Sequence, residues 1–170
     1  EHAIGSGRGA IVLDPEISLT PQVLERFRAR FGSKVADLHS GLTMSKRIQE
    51  WRRTTEGDAT IVMGARSGVF AAVKNRGIMD VDEEHESSYK QEEAPRYSAR
   101  DVALVRARQV GASVILGSAT PSLESFHNAQ TGKYSLLQLL NRVGNRPLPN
   151  ISVVDLRQPK EKDKLTKDFR

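Results

Sequence analysis

Six short apolar runs rich in β-branched residues punctuate the chain. They are Ala10 to Leu13, Lys34 to Leu38, Ala59 to Met63, Gly77 to Val81, Ser113 to Leu116 and Ile151 to Leu156. Such runs are too short for buried helices and ordinary for strands covered on both faces. Amphipathic stretches separate them. Alternation of strand and helix implies parallel strands joined by crossovers, that is, a doubly wound α/β sheet with helices on both faces. In such sheets ligands bind beyond the carboxyl ends of the strands, so the residues that follow each run are where chemistry is expected.

The helices announce themselves by their ends. Thr20-Pro21 offers a capping hydroxyl and a proline at the first helical position, with Leu19 and Leu24 at staple spacing. Val23, Leu24, Phe27 and Phe31 then form one face, and Gly32 marks the stop. A helix from about Met44 to Arg53 is expected to turn Ile48 and Trp51 inward. Ser98, with Asp101 three residues on, opens a helix that ends at Gly111. Thr120-Pro121 repeats the first pattern, with Leu123 and Phe126 expected inward and Gly132 at the stop.

Asp14, Asp37 and Asp80 interrupt or border apolar runs. A buried carboxylate without partners is costly, so each is expected at a strand end facing water, or else hydrogen-bonded or protonated.

Composition enters as exclusion. The 170 residues include no cysteine, which removes disulfides, thiolate zinc sites and cysteine catalysis from this chain. No apolar run reaches the ~18 residues a membrane helix needs. Twenty-six Lys and Arg against 21 Asp and Glu give +5. The excess is uneven. Asp80 to Glu93 holds seven acids and the single base Lys90, leaving 25 bases against 14 acids elsewhere. That is an acidic strip in a basic domain, compatible with nucleic acid.

Two strings carry the chemistry. Asp82-Glu83-Glu84-His85 follows the run Gly77 to Val81. Acids at that position suit nucleotide hydrolysis, one holding Mg²⁺ and one orienting the attacking water. Read alone, the string is equally a charged exit from a strand. Gly117-Ser118-Ala119-Thr120-Pro121 follows the run Ser113 to Leu116, and read alone is equally a tight turn before a helix.

Together the strings resemble motifs II and III of superfamily 2 helicases, and their surroundings narrow the resemblance. Asp14-Pro15-Glu16-Ile17-Ser18-Leu19-Thr20-Pro21-Gln22, His39-Ser40-Gly41, Gly64-Ala65-Arg66-Ser67, Asp82 to Gln91, Gly117 to Ser125 and Asn145-Arg146-Pro147-Leu148-Pro149 follow, in order and spacing, the pattern of the PriA family of DEAH-type replication-restart helicases. The resemblance covers nearly the whole chain. It implies a RecA-like first lobe over residues 1–140 and a connection over 141–170 toward a second lobe. It implies ATP and Mg²⁺ as cofactors, and 3′-to-5′ movement on DNA. Asp82 and Glu83 are implied as Mg²⁺-holding and water-activating acids, with Glu84 and His85 completing the catalytic string and Ser118 and Thr120 coupling hydrolysis to strand movement. Pro15, Thr20, Gln22, Arg66 and Ser67 are implied on the DNA backbone. The stretch Ser87 to Tyr97 resembles the aromatic-rich loop. There Tyr89 and Tyr97 are expected to stack on bases, while Lys90, Arg96 and Arg100 meet phosphates. Implied partners are single-stranded and forked DNA, primosome proteins and single-stranded-DNA-binding protein, in a bacterial cytoplasm.

The sequence departs from the family pattern at Asp14, Asp37 and Asp80, at Ser98 where histidine is common, and at Ala94 where glycine is usual. Gly5-Ser6-Gly7-Arg8-Gly9 is not a phosphate-binding P-loop. Arg8 stands for the lysine, Gly9 for the hydroxyl, and a strand follows where a helix is required. It reads instead as a turn between a helix and the strand Ala10 to Leu13. The resemblance places the P-loop upstream, and places the arginine finger and zinc-binding cysteines in later regions, so the chain is expected to be a partial lobe without turnover of its own. A stand-alone DNA-binding α/β module is the competing reading. A different superfamily 2 motor is disfavoured by the Pro15-to-Gln22 string and the aromatic-rich loop.

Overall fold

The computed structural model describes residues 1–16, 21–141 and 151. The chain forms two compact units, Glu1–Ser135 and Leu136–Arg170. Helix α1 (His2–Gly5) leads into β1 (Gly9–Leu13), then α2 (Pro21–Phe31), β2 (Val35–Leu38), α3 (Met44–Glu56), β3 (Ile61–Gly64) and β4 (Arg76–Val81). A short hairpin of β5 (Lys90–Gln91) and β6 (Tyr97–Ser98) precedes α4 (Ala99–Val110), β7 (Ser113–Leu116) and α5 (Leu123–Gln130). Five strands make one parallel sheet in the order β2-β3-β1-β4-β7. This is the expected doubly wound α/β arrangement, RecA-like in its pattern. The turn after α1 falls on Gly5 to Gly9, as anticipated.

Alternation along the strands supplies two apolar faces. Ile11, Leu13, Val62, Met79 and Val81 pack with Ala99, Ala103 and Ala107 of α4. Ala10, Val35, Ile61 and Met63 pack on the other face with Leu24 of α2. The small residues of α4 let that helix lie close to the sheet. Ser98 caps it by accepting the Asp101 N–H at 3.3 Å, and Gly111 ends it in the left-handed region. Asp101 does not return the capping bond. Its carboxylate pairs with Arg100.

Two helices turn other faces inward than their apolar residues suggest. On α3, Glu50 and Thr54 are buried, while Ile48 and Trp51 are 47% and 41% exposed. Edge strand β2 needs polar cover, and Glu50 gives it by accepting the Asp37 N–H, while Arg53 bonds both Glu50 and the Ser33 carbonyl. On α5, Leu123 and Phe126 are exposed and only Ser125 is buried. That helix also starts two residues later than Thr120-Pro121 suggests, with Ser122 as its cap. None of the three aspartates simply faces water, and the alternative expectation of a partner holds for Asp14, which accepts the Glu16 N–H, and for Asp37, which lies against His39. Asp14 and Asp37 are buried, and Asp80 is half-buried within β4. The run Ile151 to Leu156, Thr20 and the charged tail after Pro159 lie outside the described residues, Ile151 apart.

Candidate functional site

The ends of β1, β4 and β7 are stapled by their own backbone. The Asp82 N–H donates to the Leu13 carbonyl, Gly117 N–H to Val81, and Glu84 N–H to Gly117, each at 2.9 Å. The two sequence strings therefore leave the sheet side by side. Glu83 adopts φ +45°, a left-handed conformation uncommon outside glycine, and the Asp82 Oδ1 holds it by accepting its N–H at 3.0 Å. This reversal turns Glu83 and His85 toward one groove and Glu84 away from it.

In that groove the His85 Nδ1 lies 2.8 Å from the Ser118 Oγ and 3.5 Å from a Glu83 carboxylate oxygen. Its Nε2 lies 3.4 Å from the Thr120 Oγ1 and 3.7 Å from Glu86. Ser118 also accepts the Thr120 N–H at 2.9 Å. The groove encloses about 670 Å³ between Asp14, Pro15, Asp82, Glu83, His85 and Thr120. Four of the six residues assigned to the two strings line it, and Ser118 joins them through His85.

Glu84 is the exception. Its side chain is 1% exposed. It accepts the Ser122 N–H at 2.7 Å, the Ser122 and Ser125 hydroxyls at 3.1 and 2.9 Å, and the Arg100 Nη1 at 3.1 Å. Burial alone would raise its pKa, but these bonds outweigh burial and lower it. Glu84 is thus no part of the groove. It ties the end of β4 to the starts of α4 and α5. Arg100 is spent on the same cluster, so it does not reach out to a phosphate as expected.

A second groove of about 550 Å³ runs alongside, lined by Pro15, Ser40, Arg66, Ser67, Ser88 and Tyr97. The turn into it passes Gly64, where a Cβ would come within 2.6 Å of the Leu38 carbonyl oxygen. The Arg66 Nη1 donates to the carbonyls of Ser88 and Lys90 at 3.3 and 2.8 Å, holding the aromatic-rich loop against this turn. Tyr97 is half-buried and stacks edge-on against Phe70, with centroids 5.0 Å apart. Tyr89 contradicts its expected role. It is 1% exposed, and its hydroxyl donates to the carbonyls of Leu13 and Asp82 at 3.0 and 2.7 Å. Its ring offers no face to a base, and burial raises its hydroxyl pKa. Lys90 and Arg96 are exposed on the hairpin, and Gln22 is exposed on the first turn of α2.

Sequence reasoning left Asp14 out of the site, expecting at most a hydrogen bond, which its Oδ1 makes by accepting the Glu16 N–H at 2.8 Å at the groove wall. It also missed Ser122 and Ser125. A serine just before Leu123 is a capping signal, masked in the sequence by the stronger Thr-Pro pair upstream.

The DEAD/DEAH box helicase family profile matches residues 2–129. Among curated relatives, replication restart protein PriA of Bacillus subtilis (strain 168) is 52% identical over 158 residues, 93% of this chain and 20% of its own length. The protein of the same name from Haemophilus influenzae is 46% identical over 167 residues, 98% of this chain and 23% of its own length. That from Synechocystis is 48% identical over 159 residues, 91% of this chain and 19% of its own length. A solved structure, the C-terminal part of the Fun30 ATPase domain, aligns with TM-score 0.43 at 12% identity, over 73% of this chain and 44% of its own. The chain spans about a fifth of the length of the curated relatives it matches. A profile match over residues 2–129, on a parallel sheet with both strings at its carboxyl edge, means that the chain belongs to the DEAD/DEAH box helicase family.

Proposed function

We propose that residues 1–140 act as part of the first motor lobe of an ATP-dependent 3′-to-5′ DNA helicase working in replication restart, with 141–170 leading toward a second lobe. The observation that carries this reading is the contact between the two grooves. Pro15 and Ser88 line both, so an acid-bearing groove and a nucleic-acid track share a wall. A change on one side is then felt on the other.

The family goes with ATP and Mg²⁺, and the residues fit them. Among the described residues Asp82 has no basic partner, and no closed cluster of three or more metal-ligating side chains exists. Mg²⁺ is commonly held by one or two carboxylates plus substrate oxygens and water, which such an open arrangement allows. Asp82 would hold the ion and Glu83 would take a proton from water at its carboxylate. When bound, Mg²⁺–ATP supplies the phosphoanhydride and neutralises its charge. His85 joins Glu83 to Ser118 and Thr120, so it orients the acid relative to the end of β7. Arg66 and Ser67 would contact the DNA backbone, Tyr97 a base, and Lys90 and Arg96 phosphates. Single-stranded and forked DNA are the proposed substrates, with primosome proteins and single-stranded-DNA-binding protein as partners.

The test is a graft. These 170 residues replace the matching segment of the Bacillus subtilis relative, and DNA-stimulated ATP turnover is measured. The graft is expected to turn over ATP. Glu83→Gln is expected to cut turnover by about 10²–10⁴-fold while DNA binding persists. Turnover that survives Glu83→Gln would refute the assignment of the base. DNA binding without turnover in the graft would favour the binding-module reading.

A further inference from the structure

We propose that His39 is a positioning residue for the nucleic-acid track, fixing the Ser40-Gly41 turn in one shape through a relay from buried Asp37. This rests on reading the groove beside Arg66 as that track.

Asp37 lies at the third position of β2, and its side chain is 4% exposed. Burial raises its pKa, opposed first by His39, then by Arg28 of α2 and Lys46 of α3, while Glu50 of α3 adds to the rise. Its Oδ2 lies 3.3 Å from the His39 Nε2. The other ring nitrogen, Nδ1, accepts the Gly41 N–H at 3.0 Å. A nitrogen that accepts carries no proton, so the neutral ring bears its proton on Nε2, facing the carboxylate. One tautomer satisfies both contacts.

The turn is built around that ring. A Cβ at Gly41 would come within 3.0 Å of the His39 Cε1 and Nδ1. Glycine at 41 is what lets the imidazole sit against the backbone. The Leu42 N–H closes on the His39 carbonyl at 3.3 Å, and the Arg47 guanidinium reaches from α3 to the Ser40 carbonyl at 3.4 Å. Ser40, exposed between two pinned neighbours, is the residue this turn presents to the groove. A strand backbone following Pro15, Ser40 and Ser67 would therefore meet a preset surface.

Two substitutions separate the acceptor from the ring. In His39→Asn the amide oxygen takes the place of Nδ1 and accepts the Gly41 N–H as an Asx turn. In His39→Ala no acceptor remains. Binding of a fluorescent oligo-dT by the 170-residue chain at low salt is expected to weaken about fivefold in His39→Ala and to stay within about twofold in His39→Asn. Gly41 amide hydrogen exchange is expected to speed up in His39→Ala only, and ring ¹⁵N shifts are expected to show Nε2–H. If His39→Ala, still folded by circular dichroism, binds like the parent, or if His39→Asn loses as much as His39→Ala, the inference fails. If the parent binds no oligo-dT, the reading of the track fails instead. In that case unchanged Gly41 exchange in His39→Ala, or an Nδ1–H ring, overturns the relay by itself, and the expected exchange and tautomer sustain it.

Discussion

Replacing Glu84 by alanine should destabilise the domain without touching the groove. The carboxylate accepts four hydrogen bonds, from the Ser122 N–H, the Ser122 and Ser125 hydroxyls and the Arg100 guanidinium. Removing one member of a buried ion pair costs roughly 3–5 kcal/mol, mostly through the charge left behind. Arg100 retains Asp101 and Ser122 as partners, and its side chain is 16% exposed, so water can reach it. The low end of the range applies, about 3 kcal/mol, or roughly 6–12 °C in Tm for a chain of this size. Urea unfolding followed by circular dichroism reads this directly. Glu83→Ala, where the side chain is half-exposed, should lie within about 0.5 kcal/mol of the parent. The pH dependence has a definite sign. The folded Glu84 carboxyl holds its proton less tightly than the usual value of 4.5, so its contribution is intact above that pH and fades as pH falls below it. Parent and Glu84→Gln stabilities should therefore converge under acid. A loss under about 1 kcal/mol for Glu84→Ala at pH 7.5 would refute the reasoning, as would a gap between parent and Glu84→Gln that does not shrink in acid.

Other residues make comparable predictions. Asp80 is pushed up to about 6, first by burial and then by Asp82. Its ionisation therefore costs stability as pH rises from 3.8 through 6, and Asp80→Asn should gain about 2–3 kcal/mol in urea at pH 7.5 and little below pH 3.8. An equal gain at both ends would sink the burial argument. Tyr89→Phe removes the hydroxyl that bonds Leu13 and Asp82, so it should lose about 1–2 kcal/mol and leave oligo-dT affinity unchanged. Tyr97→Ala should instead weaken that affinity by the ~1–3 kcal/mol of a lost base stack, as read by anisotropy titration.

The strands were legible as β-branched runs, and the ends of α4 because Ser98 and Gly111 are unambiguous, but the expected cover on both faces fails for β7, an edge strand with no buried residue and Ile115 49% exposed. The inward faces of α3 and α5 were not legible. Hydrophobic periodicity assumes that apolar contact orients a helix, whereas here a glutamate from α3 serves an edge strand and a serine from α5 serves a buried glutamate. Tyr89 and Tyr97 show a related limit. Both flank the same charged loop, but the 3₁₀ turn Ser87–Tyr89 sinks the first ring beneath the ends of β1 and β4, and the hairpin leaves the second at a groove. Composition does not distinguish them; backbone direction does. The same reasoning divides the acidic string. Asp82 to His85 reads as four equivalent polar residues after a strand. A single left-handed residue, Glu83, reverses the chain within it, so its neighbours on either side serve different surfaces. Glu83 and His85 face the groove, and Glu84 becomes a core carboxylate whose serine partners, the cap and the first turn of α5, lie 38 and 41 residues away. The string thus serves two surfaces, and Glu84, held by Ser122, Ser125 and Arg100 and absent from the groove lining, is expected to report in stability rather than through a contact in the groove.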